Sequence, residues 1–165
     1  MAALLKQSLL LTMLALALGG CASTTNLQTA GDNRFSAVDP SQSSESTQRL
    51  WQVFERYQGA PYEYGGTSAQ GFDCSGFIMT AYREGLGKQV PRTTSQMLKY
   101  GKVIAPASVQ PGDLVFFRIR GKEQHAGIYM GDDRFIHAST SAGVTLSELD
   151  GYYWRDRFTE ARRFE

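Results

Sequence analysis

The thiol and imidazole groups of this 165-residue chain are few: Cys21, Cys74, His125 and His137. Cys74 lies in Gly71-Phe72-Asp73-Cys74-Ser75-Gly76-Phe77, and the histidines lie later, in the runs HAGIYM and RFIHAS. Asp73 is a good helix N-cap type, so the spacing puts Cys74 in the first turn of a helix. Unpaired backbone N–H groups and the helix dipole favour a negative thiolate there, which lowers a thiol from its free value of about 8.5. A thiolate nucleophile needs a base, and a base needs an orienting group. One cysteine and two histidines are enough to supply all three.

The two histidines fall on the predicted strands of one hairpin, so their usefulness is a question of register. With Gly131–Asp133 as a three-residue loop, Met130 pairs with Arg134, His125 faces Ser139, and His137 lies diagonally on the same face. Diagonal neighbours are about 7–8 Å apart at the backbone, within side-chain reach. A two-residue loop would turn His137 to the opposite face. Blander readings stand beside this one. Strand histidines are more often half-buried polar groups with satisfied hydrogen bonds, and most free cysteines are small buried hydrophobes. A Cys/His/His set also suits zinc, although neither Cys-x-x-Cys nor His-x-x-x-His spacing occurs. Ser75 stands outside any Gly-x-Ser-x-Gly elbow, which disfavours a serine hydrolase.

These side chains must be positioned by their elements. Order is expected from about Thr47, where Leu50, Val53, Phe54 and Tyr57 recur at helical spacing until Gly59-Ala60-Pro61. A glycine-rich loop follows in PYEYGGTSAQGF. The second helix is expected from Asp73 or Cys74 to about Glu84, with Gly85 and Gly87 as its stop, and a short third one over Thr94–Tyr100. The second half reads as strands: PGDLVFFRI, HAGIYM, RFIHAS, GVTLSEL and RFTEARRF, with GDD as a hairpin turn. Helices first and strands second predict an α+β domain, with helices packed on one face of an antiparallel sheet.

The N-terminus reads as an export signal. Lys6 precedes an apolar run over Leu9–Leu18 that is too short to span a bilayer. The run ends in Leu18-Gly19-Gly20-Cys21, which resembles the bacterial lipoprotein box, in which the cysteine is acylated and becomes the mature N-terminus. Two or more acyl chains, at about 0.8 kcal/mol per buried CH₂, hold a protein on a membrane stably. Ala22 in place of Asp implies, by the same resemblance, the periplasmic face of the outer membrane. Lipidation of Cys21 leaves Cys74 a lone thiol in an oxidising compartment. Polar, apolar-poor sequence follows Cys21 and cannot offset its own ordering entropy. The expected division is therefore a signal peptide over 1–20, a lipidated cysteine and flexible tether over 21–46, and one domain over 47–165. Formal net charge is +1 with both signs scattered, so no basic stripe marks a nucleic-acid partner.

Six motifs, PYEYGG, DCSGF, PR-T, PGDLVFF, H-GIY and FIHAS, stand in the order and spacing of the NlpC-type cell-wall cysteine peptidases. The resemblance covers Trp51 to the C-terminus and is strongest to the short lipoprotein members. It implies a papain-like fold and hydrolysis of peptidoglycan stem peptides; no metal or organic cofactor is needed, and a monomer is expected. It places the nucleophile at Cys74, the base at His125 and the third polar residue at His137. Tyr62 matches a tyrosine near the oxyanion, where one donor is typically worth roughly 3–4 kcal/mol of barrier. For Tyr62 the plainer reading is core packing, since Tyr64 stands close by and would serve equally well there. Asp73 and Ser75 match groove-lining positions, though a helix cap and a first-turn residue are the plainer readings. Arg92 suits either a substrate carboxylate, met bidentately, or a salt bridge. Members of the family cut either the γ-D-Glu–diaminopimelate bond within a stem or the D-Ala–diaminopimelate cross-link, and likeness to one of the short lipoprotein members tilts the expectation toward the latter. Ala126 departs from the valine that relatives often carry there.

Overall fold

The computed structural model describes residues 44–121 and 124–165. The expected export signal, Cys21 and the expected tether up to residue 43 lie outside the described residues. Ordered structure begins slightly earlier than the sequence suggests. Ser44 caps helix α1 (Glu45–Tyr57) by accepting from the Thr47 N–H, so the first turn takes in residues assigned above to the tether. Leu50, Val53 and Phe54 form the buried stripe of α1, as their spacing requires.

Two short strands, β1 (Thr67–Ser68) and β2 (Gly71–Phe72), fold the glycine-rich loop into a small hairpin ahead of α2 (Cys74–Ala81). α2 continues as a wider π-helical turn over Tyr82–Leu86 and stops at Gly87. Nearly every side of α2 is covered, including Phe77, Ile78 and Ala81. α3 (Thr94–Tyr100) follows, capped by Thr93.

The sheet is antiparallel throughout: β3 (Lys102–Ile104), β4 (Leu114–Phe117), β5 (His125–Gly131), β6 (Arg134–Ser139), β7 (Gly143–Glu148) and β8 (Phe158–Arg163), in the order β3-β8-β4-β5-β6-β7. The C-terminal strand thus inserts between β3 and β4. β3 is too short to show a pattern in sequence. Side chains of alternate residues face opposite ways. Leu114, Phe116, Ala126, Ile128, Ile136 and Ala138 pack against α1 and α2. Val115, Phe117, Tyr129, Phe135 and Ala161 form a second core on the reverse face, closed by Trp154 and Phe158. Because both faces are covered, β4 and β5 are buried along their whole lengths instead of alternating. The arrangement is α+β, with helices on one face of an antiparallel sheet, as the element order predicts.

The β5–β6 hairpin settles the register. Its turn is the two residues Asp132 and Asp133, both at positive φ (49° and 59°), the backbone of a type I′ turn. A two-residue loop alone would send His137 to the helix side. A bulge between Tyr129 and Gly131 restores the count, so that Tyr129 pairs with Phe135 and Ile128 with Ile136. His125 and His137 therefore share the reverse face. The expected turn length differs from that found, while the body of the hairpin has the expected pairing.

Candidate active site

Asp73, in extended conformation, is the N-cap of α2 and accepts from the Gly76 N–H at 2.6 Å. The first turn lies flush against the preceding loop: a Cβ on Gly76 would come 2.1 Å from the Gly66 carbonyl oxygen, so only glycine fits. This packing sets Cys74, half-buried, at the head of the helix.

The other half of the site comes from a parting of strands. β5 stays paired with β4 as far as His125, and β6 stays paired with β7 as far as Ser139, but the β5–β6 pairing ends at Ile128 and Ile136. Where β6 has left the ladder, the backbone N–H groups of Ala126, Ser75 and Cys74 lie near enough to the Cys74 sulfur to favour its charged form. Cys74 therefore lies beside the backbone of the residue that follows His125.

His125 and His137 meet edge to face, with His125 Nε2 2.8 Å from His137 Nδ1. His137 Nε2 lies 3.0 Å from Ser147 Oγ on β7. Both rings are buried among aromatic groups. Trp154 stacks on His125 (5.3 Å between centroids, 23° between planes) and presents its edge to His137, while Phe135 stacks on His137 at 4.8 Å. Gly127 leaves room for that stack, since a Cβ there would fall 2.6 Å from Phe135 Cδ2 and 3.1 Å from His137 Cβ. Burial, and then the neighbouring His125, hold His137 well below the usual imidazole range, so it is neutral at neutral pH.

The thiol behaves differently from what a helix tip alone would dictate. Burial and the Asp73 charge push Cys74 up, and the N–H groups of Ala126, Ser75 and Cys74 pull it down by less. The balance holds the sulfur toward its thiol form. For Asp73, burial favours protonation, but hydrogen bonds from Arg92, Gly76 and Ser75, with the Arg92 charge, outweigh it and hold the carboxyl below its ordinary value.

Arg92 is engaged by the chain itself. Its Nη2 donates to Asp73 Oδ2 at 2.8 Å, and its Nη1 to Asp73 Oδ1 at 3.1 Å and to Ser75 Oγ at 2.8 Å. Ser75 in turn donates to Asp73 Oδ1, and the Gly65 N–H to Asp73 Oδ2. Of the two readings of Arg92, the salt bridge is the one present, and Asp73 is both helix cap and anchor of the Gly65 loop.

All of these groups open onto one cleft of about 940 Å³, between the glycine-rich loop and α2 on one side and β5–β7 on the other. Tyr62, Tyr64, Asp73, Cys74, Ser75, Arg92, His125 and His137 all line it. Tyr62 is half-buried, bridges to Phe72 and packs partly against the core, whereas Tyr64 is 81% exposed. Two groups at the centre escaped the sequence reading. Trp154 stands in an aromatic run, GYYW, whose third ring is the one that turns inward. Ser147 is one serine among many, and only its pairing opposite Phe135, next to His137 on β6, marks it. Among the described residues no group of three His, Cys, Asp or Glu side chains is disposed to hold a metal ion.

Residues 59–163 match the NlpC/P60 family. The chain is similar to the murein DD-endopeptidase MepS/murein LD-carboxypeptidase of Escherichia coli K12, with 36% identity over 140 residues, 85% of this chain and 73% of the relative. It is also 44% identical over 117 residues to the gamma-DL-glutamyl hydrolase of Bacillus subtilis, which covers 69% of this chain and 28% of the relative. Among solved structures, an NlpC/P60 family protein from Bacillus cereus superposes with a TM-score of 0.64 and 30% identity. The match covers 71% of this chain and 39% of that one, so this chain corresponds to well under half of the Bacillus proteins.

Proposed function

The chain belongs to the NlpC/P60 family and is a cysteine peptidase of papain-like fold, and from that premise we propose that it is a lipid-anchored murein endopeptidase working through Cys74, His125 and His137. The observation that carries this reading is the convergence, in one cleft, of a sulfur at a helix tip with two hydrogen-bonded imidazoles.

The chemistry follows from the protonation states. His125 Nε2 is engaged by His137, so Nδ1 is assigned as the nitrogen that takes the thiol proton. A substrate peptide carbonyl enters beside Cys74. His125 Nδ1 takes the thiol proton as sulfur attacks the carbonyl carbon, so a thiolate forms only in the course of attack. The oxyanion is met by the Cys74 N–H and the Tyr62 hydroxyl, each a donor of the kind that stabilises developing charge. His125 returns its proton to the leaving amine, and an acyl-enzyme thioester remains. Water, deprotonated by His125, attacks the thioester, and collapse releases a carboxylate and the thiol. No metal or organic cofactor is required for any step.

The wall bond favoured is the D-Ala–diaminopimelate cross-link, supported by the name of the Escherichia coli relative, with the γ-D-Glu–diaminopimelate bond, supported by that of the Bacillus subtilis one, as the alternative. Cys21 carries the lipid, and the chain sits on the periplasmic face of the outer membrane as a monomer. Incubating the purified chain with defined cross-linked and uncross-linked muropeptides, and weighing the products, decides the bond. Cys74→Ala is expected to release nothing. Adducts formed with an added amine would mark a transpeptidase or acyltransferase instead. Binding to murein without fragments would mark a wall-binding module. Radiolabelled palmitate incorporated by the wild type, and equally by Cys21→Ala, would defeat the anchor.

A further inference from the structure

Ser147 lies at the end of the imidazole chain, and the protonation logic of that chain gives it a role. When His125 accepts a proton at Nδ1 it becomes an imidazolium with hydrogen on both ring nitrogens. Its Nε2–H then needs an acceptor, and the atom 2.8 Å away is His137 Nδ1. His137 can accept there only if its own hydrogen is on Nε2. An Nε2–H inside an aromatic pocket needs an acceptor in turn, because an unmade buried hydrogen bond costs about 1–3 kcal/mol. The atom in place is Ser147 Oγ, at 3.0 Å. The opposite tautomer would leave Nδ1–H of His137 facing Nε2–H of the imidazolium, two donors in contact. In resting His125 it would also put hydrogen on Nδ1, where the lone pair must be.

We propose that Ser147 is a positioning residue of the relay: its hydroxyl accepts from His137 Nε2–H, fixes His137 as the Nε2–H tautomer, and through His137 fixes His125 with its Nδ1 lone pair toward Cys74. This rests on the peptidase reading for its functional meaning, but the tautomers are properties of the protein alone. Ser147 is half-buried on β7, opposite Phe135, so a nearly isosteric pair of replacements can be compared there. Ser147→Thr keeps the hydroxyl. Ser147→Val replaces it with a methyl and keeps water from taking its place.

The test uses the full chain, labelled with ¹⁵N in its histidine rings, and reads both tautomers by long-range ¹H–¹⁵N correlation at a pH where His137 is neutral. The expected wild-type spectrum shows hydrogen on Nε2 of both rings. Ser147→Thr should preserve it, and Ser147→Val should show His137 redistributed toward Nδ1–H with native backbone shifts. For muropeptide cleavage, Ser147→Val should lower kcat by roughly ten- to a hundredfold, the usual range for losing the outer partner of an oriented imidazole, with KM little changed. Ser147→Thr should keep most of kcat. A wild-type His137 protonated on Nδ1 would overturn the proposal, as would a Ser147→Val protein with unaltered tautomers. If the spectra behave as expected and no variant, wild type included, cleaves murein, the peptidase reading fails and the role of Ser147 in setting the tautomer stands.

Discussion

On the helix side of the sheet, Leu114, Phe116, Ile128 and Ile136 meet Leu50, Phe54, Phe77 and Ile78. On the reverse side, Phe117 and Phe135 meet Trp154 and the two imidazoles. The first interface is held by burial of apolar area, at about 1.5–3 kcal/mol for each large side chain, and it tolerates small shifts in angle. The second holds rings at defined tilts around a hydrogen-bonded chain, where a shift of a few tenths of an ångström changes a proton's destination. One face supplies free energy and the other supplies geometry. Cys74 belongs to a helix on the first face and shares one cleft with the imidazoles where β5 and β6 separate, so the site joins the two.

This division can be tested by asking which face loses stability and which loses turnover. The largest effect expected is that of His125→Ala, which should lower muropeptide cleavage by roughly a thousandfold or more while the urea midpoint changes little. Phe77→Ala on the opposite face should do the reverse. About 3–5 kcal/mol of stability should go, and kcat per folded molecule should stay near wild type. Equal loss of turnover in both variants would break the comparison. Gly127→Ala should damage both properties, because its Cβ would push into Phe135 and His137; about 1–3 kcal/mol is expected by denaturant titration, with a fall in kcat. Trp154→Ala sharpens the case for the reverse face. It should cost activity by about tenfold or more, beyond the roughly 0.5–1.5 kcal/mol of each lost ring pair, and Trp154→Phe should recover part of it.

The smallest effect concerns pH. His137 is held well below 6.5 in the folded protein, so the unfolded chain binds its proton first as pH falls. The contribution of the buried neutral ring is fully present above the unfolded value of about 6.5 and is lost as pH falls toward the folded one, at most about 1.4 kcal/mol per pH unit. Urea midpoints of wild type should therefore fall more steeply than those of His137→Gln between about pH 7 and pH 5. Parallel slopes would mean that His137 is not buried as a neutral ring. His137→Gln should also retain partial turnover.

Much of this was legible in the sequence because the informative residues are local. Asp73 before an apolar run announces a cap, and Leu50, Val53, Phe54 and Tyr57 announce a helix. The hairpin was legible in its pairing and misread at its tip, because Asp132-Asp133 form the two-residue turn while the bulge that compensates for it is set by the neighbouring backbone. The insertion of β8 between β3 and β4 has no local signature, since it is a choice among edges made by packing. Trp154 and Ser147 were invisible for the same reason: their importance comes from what lies across the fold. The thiol's acidity runs opposite to what the helix tip alone dictates, because burial and the Asp73 charge outweigh the backbone N–H groups of Ala126, Ser75 and Cys74.

That carboxylate and that burial have a further consequence for how long the sulfur survives. Peroxides and stray disulfides attack thiolates far faster than thiols, and the first product, a sulfenic acid, leads on to species that cannot be reversed. A nucleophile kept protonated until a substrate carbonyl arrives spends its idle hours in the form least open to such damage.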